Sequence, residues 1–398
     1  MKQRSEPVEG QWLRPWALVL VLALAYVGLT LVRYGGDPMM FVLVGTQHSQ
    51  GDPAGSPGYD GQFAYFIARD PAGGCPQPLC DAPSYRYQRI LYPLLAWALA
   101  LGQPEAVPWT LIVVNVVALV GGTYFTERLL DAHRVSRWYA LAYGLYGGLV
   151  AGLRLDLTEP LAYGLVQAGL WLWMERDARC KMQEAGGKGQ GACKRLGFEI
   201  WDLRFALFAL AALTKETTLV AVVGLLLYLA LERRWWEAFK LGLIAGLPFA
   251  IWQGVLWIWL KSPGIGAGGD MATPFEAIPF MGLLRVTEDS WPAFWLLLAV
   301  EGPLFVLPTI WALVASARDL WRGRRHAWVA ILLLQAAVLP FLPYSTWREP
   351  LAMPRLAVGL VAATVLYGAQ RRSKRVLLFS FFWLATLALL IDESVLPI

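Results

Sequence analysis

The chain has 398 residues, of which 57% are hydrophobic and only 16% charged, and 20 of them are Trp. A soluble globular domain does not carry that balance, so composition excludes the ordinary soluble classes and leaves a membrane protein. The net charge of +5 does not point to nucleic acid, because Lys and Arg fall in short loops between apolar runs and form no single patch.

A hydrocarbon core of about 30 Å takes about 20 helical residues to cross, and apolar runs of that order recur along the chain. The first, 16–33, is long, lacks a small-residue cleavage site and continues into Arg33 and Tyr34. It reads as a retained helix and not as a signal peptide. Further runs stand at 108–126, 138–154, 160–174, 199–214, 217–231, 239–260, 293–315, 327–343, 351–368 and 376–391. The expected fold class is therefore all-α: a polytopic helical bundle of about 11 transmembrane helices, forming one transmembrane domain over residues 1–398.

Charge sets the expected orientation. With the N-terminus inside, the inner segments hold Lys2, Arg4 and Arg14, then Arg128, Arg134 and Arg137, then the seven basic residues from Arg176 to Arg204, six of them in the basic loop 175–203. Arg233, Arg234 and Lys240, the group from Arg318 to Arg325, and the group from Arg371 to Arg375 follow on the same side. These segments take 24 of the 34 Lys and Arg residues, the asymmetry of the positive-inside rule. Parity then requires the apolar stretch Ile90–Leu101 not to span. Its length is also too short, and Gly102, Pro104 and Pro108 cut it off from the next run. It is expected to lie along the outer surface, within a long first outer loop of 34–108. Around Ala185–Ala192 the basic inner loop is Gly-rich.

The outer segments hold the residues suited to chemistry. In Gly58-Tyr59-Asp60-Gly61-Gln62-Phe63-Ala64-Tyr65, Asp60 is a candidate general base, although Asp-Gly is also a common turn dipeptide. Tyr85-Arg86-Tyr87-Gln88-Arg89 places two guanidiniums at headgroup level, where they suit phosphate or mark an interface. Lys215 and Glu216 interrupt an apolar stretch, either to meet a lipid phosphate or to pair with one another. Glu159 and Glu349 each precede a Pro, which favours helix capping. Arg348 lies beside Glu349, and Arg355 stands just inside the tenth run. Glu301, before Gly302-Pro303, either lines a cavity or satisfies backbone groups freed by a kink. Cys75 and Cys80 bracket four residues and can pair in an oxidising compartment, whereas Cys180 and Cys193 are expected inside and reduced. The only histidines, His48, His133 and His326, give no zinc-binding pattern, so neither a metal nor another cofactor is expected.

The order of these features resembles the GT-C superfamily of membrane glycosyltransferases, such as protein mannosyltransferases and aminoarabinose transferases. Tyr-Asp-Gly-Gln-Phe and Tyr-Arg-Tyr-Gln-Arg-Ile-Leu-Tyr-Pro look like a bacterial group placed among them, over roughly residues 10–395. The resemblance implies a catalytic Asp60 in the first outer loop, surface helices after it, and a Thr214-Lys215 motif on the lipid phosphate. The Asp-X-Asp version of the loop is absent. The reaction that the resemblance implies is an inverting transfer from a polyprenyl-phosphate sugar to a hydroxyl of a cell-surface glycan or lipid, in the inner membrane with the site extracytoplasmic. Asp60 would be the base, and Lys215, Arg86, Arg89 and Arg355 would hold the phosphate. Tyr59, Gln62, Tyr65, Glu159, Glu216, Arg348 and Glu349 would be substrate-binding candidates. A transporter or flippase would instead gather its polar groups near the membrane midplane, and a non-catalytic scaffold would tolerate Asp60→Asn.

Overall fold

The structure is a computed structural model that describes residues 14–185, 203–266, 268–269 and 271–390, and among them every regular element is helical. After helix α1 (Pro15–Arg33) and the single turns Met39–Val42 and Thr46–Ser49 come the short helices α2 (Gly61–Arg69), α3 (Pro83–Tyr87) and α4 (Leu91–Leu99). Six more follow: α5 (Val107–Ala132), α6 (Gly147–Arg154), α7 (Glu159–Ala185), α8 (Leu203–Thr214), α9 (Leu219–Leu231) and α10 (Trp235–Leu260). The chain then forms α11 (Trp291–Glu301), α12 (Leu307–Trp321), α13 (Ala327–Val338), α14 (Ala352–Leu356), α15 (Val358–Gln370) and α16 (Lys374–Ser380).

Among the described residues, four helical stretches are long and apolar enough to cross a membrane: Pro15–Arg33, Pro104–Ala132, Trp235–Leu260 and Trp291–Trp321. They also turn large apolar side chains outward, among them Leu29, Val117, Trp257, Ile258 and Leu296. Bare apolar belts of this kind are costly in water and suit a lipid solvent, in which helices satisfy their own backbone groups.

The remaining predicted runs also meet helical segments, most of them shorter, although 160–174 lies within the 27-residue α7. The run 138–154 breaks around Leu145 and Tyr146, 351–368 breaks at Ala357 between α14 and α15, and the last continues past α16 as a 3₁₀-helix, Phe381–Leu390. The first break has a packing reason. A Cβ on Gly148, in the first turn of α6, would lie 2.2 Å from the Pro354 carbonyl oxygen. Backbone therefore touches backbone where α6 meets α14, and the next residue, Arg355, is delivered to the functional end of the bundle. Within the eighth run, α11 passes into α12 through a π-helical turn at Gly302–Val306. Trp383 Nε1 donates to Leu304 O in that turn at 2.6 Å, so a carbonyl loosened by the altered pitch is satisfied.

The main core runs through α5, α7, α8, α9, α13 and α15, with Trp328, Trp347 and Trp383 fully buried. Helix α5 packs on α1, α4 and α7, and α13 packs on α9, α12 and α15. The ends of the bundle differ in their polar groups. Where α5 begins, Asn115 Nδ2 donates to Tyr92 Oη at 2.7 Å and to Gly152 O at 3.1 Å. Where α5 ends, Glu127 pairs with Arg14 at 2.6 Å. The Gly-rich stretch, most of the 175–203 loop and Cys193 lie outside the described residues.

Candidate active site

The site is built from segments that are far apart in sequence. Gln62 accepts from Gly45 N at 3.0 Å and donates to Pro57 O at 2.8 Å, so it fixes the loop that leads to Asp60 and does not face a ligand. Asp60 has helical backbone angles, φ −55° and ψ −27°, and directly precedes α2. Asp60-Gly61 is thus the start of a helix and not a tight turn. Glycine is needed here because a Cβ on residue 61 would lie 2.0 Å from the Leu155 carbonyl oxygen. That close approach sets Asp60 against the 155–158 turn, and its carboxylate stands at the positive end of α2.

Each oxygen of Asp60 holds a different arginine. Arg86 Nη1 donates to Oδ1 at 3.0 Å, and Arg355 Nη2 donates to Oδ2 at 2.8 Å. Arg86 is itself clamped by Asp81, with Nε–Oδ1 at 2.8 Å and Nη2–Oδ2 at 2.7 Å, and its guanidinium lies 3.8 Å over the Phe63 ring. Asp81 follows Cys80, which is disulfide-bonded to Cys75, so a covalent loop carries the residue that aims Arg86.

Arg355 links the remaining parts. It donates through Nε to Glu159 Oε1 at 2.8 Å and through Nη1 to Tyr59 Oη at 3.0 Å, and Tyr59 in turn donates to Glu349. Lys215 Nζ meets the same Glu159 oxygen at 2.6 Å, with both side chains buried. Lys215 therefore pairs with Glu159 and not with its neighbour Glu216. Glu216 is held by Arg89 in a two-point fork, at 3.0 and 2.7 Å, and Arg89 also donates to Tyr85 Oη at 2.9 Å. The carboxylates of Glu159 and Glu349 engage side chains across the site, a use that capping did not anticipate.

Asp60, Phe63, Arg86, Arg89, Asp156, Thr158 and Arg355 line a cleft of about 400 Å³, part of it open to the outside. Asp60 has 34% of its side chain exposed there. Its partial burial opposes charge, but Arg355 and Arg86 outweigh that effect and hold the carboxyl well below the usual carboxylate range. Three guanidiniums then face one ionised carboxylate. Each guanidinium is also held from behind by an acid, Asp81, Glu216 or Glu159, and together they present the planar donors that suit a phosphate.

Tyr65 packs beside Arg69 and Phe66, and Arg348 is exposed; neither lines the cleft. Two acids with no distinguishing signal in the sequence do belong to the site. Asp81 is recognisable only by its place between the disulfide and Arg86. Asp156 lies inside a short turn between the more conspicuous Arg154 and Glu159. Among the described residues, no group of three His, Cys, Asp or Glu side chains is placed to hold a metal ion.

Beside the cleft lies a second, apolar groove of about 700 Å³, lined by Pro71, Ile90, Leu94, Leu213, Pro248, Ile251 and Trp252. Ile90 follows Arg89 in the chain, so one chain segment lines both the cleft and the groove. Comparison with protein-family models, with curated proteins and with solved structures returns no match, and the functional reading rests on these residues.

Proposed function

We propose that the chain is a membrane glycosyltransferase that moves a sugar, with inversion, from a polyprenyl-phosphate donor to a hydroxyl of an extracytoplasmic glycan or lipid. The observation that carries this reading is the meeting of Asp60 with Arg86, Arg89 and Arg355 in one cleft that shares a chain segment, Arg89 and Ile90, with an apolar groove. An amphiphile with a phosphate head and a hydrocarbon tail matches that pair of surfaces. The finer topology goes with the proposal: about eleven crossings of the inner membrane, the N-terminus cytoplasmic, 34–108 outside and 175–203 inside. The 24 basic residues of the inner segments support it.

In the reaction, the acceptor hydroxyl gives its proton to Asp60 as its oxygen bonds to the anomeric carbon. The bond from that carbon to the phosphate oxygen breaks, and its electron pair leaves on the polyprenyl phosphate. Arg86, Arg89 and Arg355 stabilise the charge that develops there. A carboxylate held by two guanidiniums is a weak base. An arriving phosphate competes for those donors and so restores the basicity of Asp60, which ties proton abstraction to donor occupancy. Lys215 shares Glu159 with Arg355, which is anchored there through Nε and reaches forward through its two Nη groups.

The test is transfer of labelled sugar from polyprenyl-phosphate sugars to endogenous glycan in isolated membranes. Asp60→Asn should lower the rate by about 10²–10⁴-fold at matched expression; an undiminished rate would remove Asp60 from the base role. A second reading, a transporter or flippase, draws on Glu301, which is 2% exposed next to the π-helical turn with Oε2 unpartnered. Transport would be lost in Glu301→Gln and kept in Asp60→Asn, the reverse of what transfer requires.

A further inference from the structure

Asp156 has no place in the transfer step, and its surroundings are unlike those of every other acid in the site. Its side chain is fully buried, and neither carboxyl oxygen has a hydrogen-bond partner. It nonetheless forms part of the cleft wall with Asp60, Arg86, Arg89 and Arg355. Its backbone is left-handed, at φ +48°, a conformation that Asp and Asn tolerate better than other side-chain-bearing residues. Strain of this kind gathers at functional positions.

Most of the neighbouring groups are committed elsewhere. Tyr92, on α4, adjoins Asp156, but its hydroxyl donates to Leu111 O at 3.2 Å and accepts from Asn115. Arg154, on α6, gives Nη1 to the Met40 carbonyl and leaves Nη2 unpartnered, yet makes no ion pair with Asp156. The three cleft arginines are bound to Asp60, Asp81, Glu159 and Glu216. A buried carboxylate without a counter-ion or donor is costly, and such a group keeps its proton instead. Burial accordingly raises the Asp156 carboxyl well above its ordinary value, and neither the charge of Arg154 nor the nearby Tyr92 hydroxyl offsets it.

We infer that Asp156 is a neutral carboxyl that recognises a sugar hydroxyl of the ligand in the cleft, offering one O–H donor and one C=O acceptor from the same group. A hydroxyl both donates and accepts, so the match is complete only while the acid is protonated. An ammonium or a metal ion would find no charge there. The neutral state also adds no further anion to the cleft, where a second ionised acid would compete with phosphate for the same arginines. The identity of the ligand as a sugar rests on the glycosyltransferase reading; the protonation of Asp156 does not.

The experiment combines infrared spectroscopy with binding, on the full chain in lipid nanodiscs at neutral pH. A carbonyl band of a protonated carboxyl should be lost in Asp156→Asn and retained in Glu301→Gln. Undecaprenyl phosphate carrying a hexose should shift that band, and undecaprenyl phosphate without sugar should not. Asn keeps a neutral donor and acceptor and fits the left-handed backbone, so Asp156→Asn should hold the glycolipid within about threefold of wild type. Asp156→Leu should weaken it by about tenfold, the scale of one neutral hydrogen bond. Absence of the Asp156 band, or equal damage from Asn and Leu, overturns the inference whatever the transfer assay gives. A band that the hexose lipid leaves unmoved while transfer proceeds overturns the hydroxyl contact and spares the glycosyltransferase reading. A band with neither binding nor transfer removes that reading, and the sugar assignment falls with it.

Discussion

Asp60 and Lys215 show how far one residue's chemistry depends on its partners. Because Arg355 and Arg86 depress the Asp60 carboxyl, its favourable contribution is fully present above the unfolded carboxyl value of about 3.9. It fades as pH falls from there toward the folded value. Asp60→Asn should therefore change the acid sensitivity of unfolding only below about pH 4, as followed by fluorescence-detected thermal melts from pH 8 to 3. A difference that grows between pH 8 and 5 would contradict the two-arginine clamp. Lys215 and Glu159 form a buried pair at 2.6 Å. Removing Lys215 leaves Glu159 with Arg355 alone, and loss of one member of such a buried cluster costs up to about 3–5 kcal/mol. Lys215→Met should lower the melting temperature markedly, and the double change Lys215→Met with Glu159→Gln should recover much of the loss. Sequence alone showed an expensive Lys-Glu pair in an apolar stretch and gave its place correctly. The true partner, Glu159, is 56 residues upstream, and no local rule could join the two.

At the level of elements, two junctions decide whether the site assembles. The α2 start requires glycine at residue 61, since a Cβ would sit 2.0 Å from Leu155 O. Gly61→Ala should cost about 1–3 kcal/mol and should reduce donor binding as well, because displacing α2 pulls Asp60 from Arg355. A melt shift without any loss of binding would mean that the turn yields and the carboxylate does not move. The other junction is the Cys75–Cys80 loop, which presents Asp81 to Arg86. Reduction with dithiothreitol, or Cys75→Ser with Cys80→Ser, should raise the donor KM more than it lowers kcat, since the phosphate-facing arginine loses its guide while Asp60 keeps Arg355. The helix α4 was legible as Ile90–Leu101 from length and punctuation and is observed as Leu91–Leu99. Helix α2 was hidden, because Asp-Gly reads locally as a turn and nine residues give too short a pattern to overrule it.

Across the whole molecule, apolar belts on four long helices among the described residues suit a bilayer, and the basic clusters carry the proposed orientation. Single cysteines replacing Ala54 and Arg322, two exposed positions, should divide in intact cells. The first should react with an impermeant maleimide, and the second only after permeabilisation. Labelling of both from outside would overturn the orientation. The broken runs at 138–154 and 351–368 belong to this scale too. Hydropathy sees a continuous apolar stretch, whereas packing of Gly148 against the Pro354 backbone bends the path so that Arg355 reaches Asp60.

The sequence by itself determined the solvent, the helical class, the short outer helix and most of the charged residues that meet, because hydrophobic length, loop charge and the cost of buried ions are local properties of a chain. Tertiary structure alone decided which charge faces which. It put Lys215 on Glu159, Arg89 on Glu216 and Arg355 between Glu159 and Asp60, and it left Asp156 buried without a partner. Ion pairing and protonation depend on distances of a few ångströms between segments up to 295 residues apart, which only the packed bundle sets.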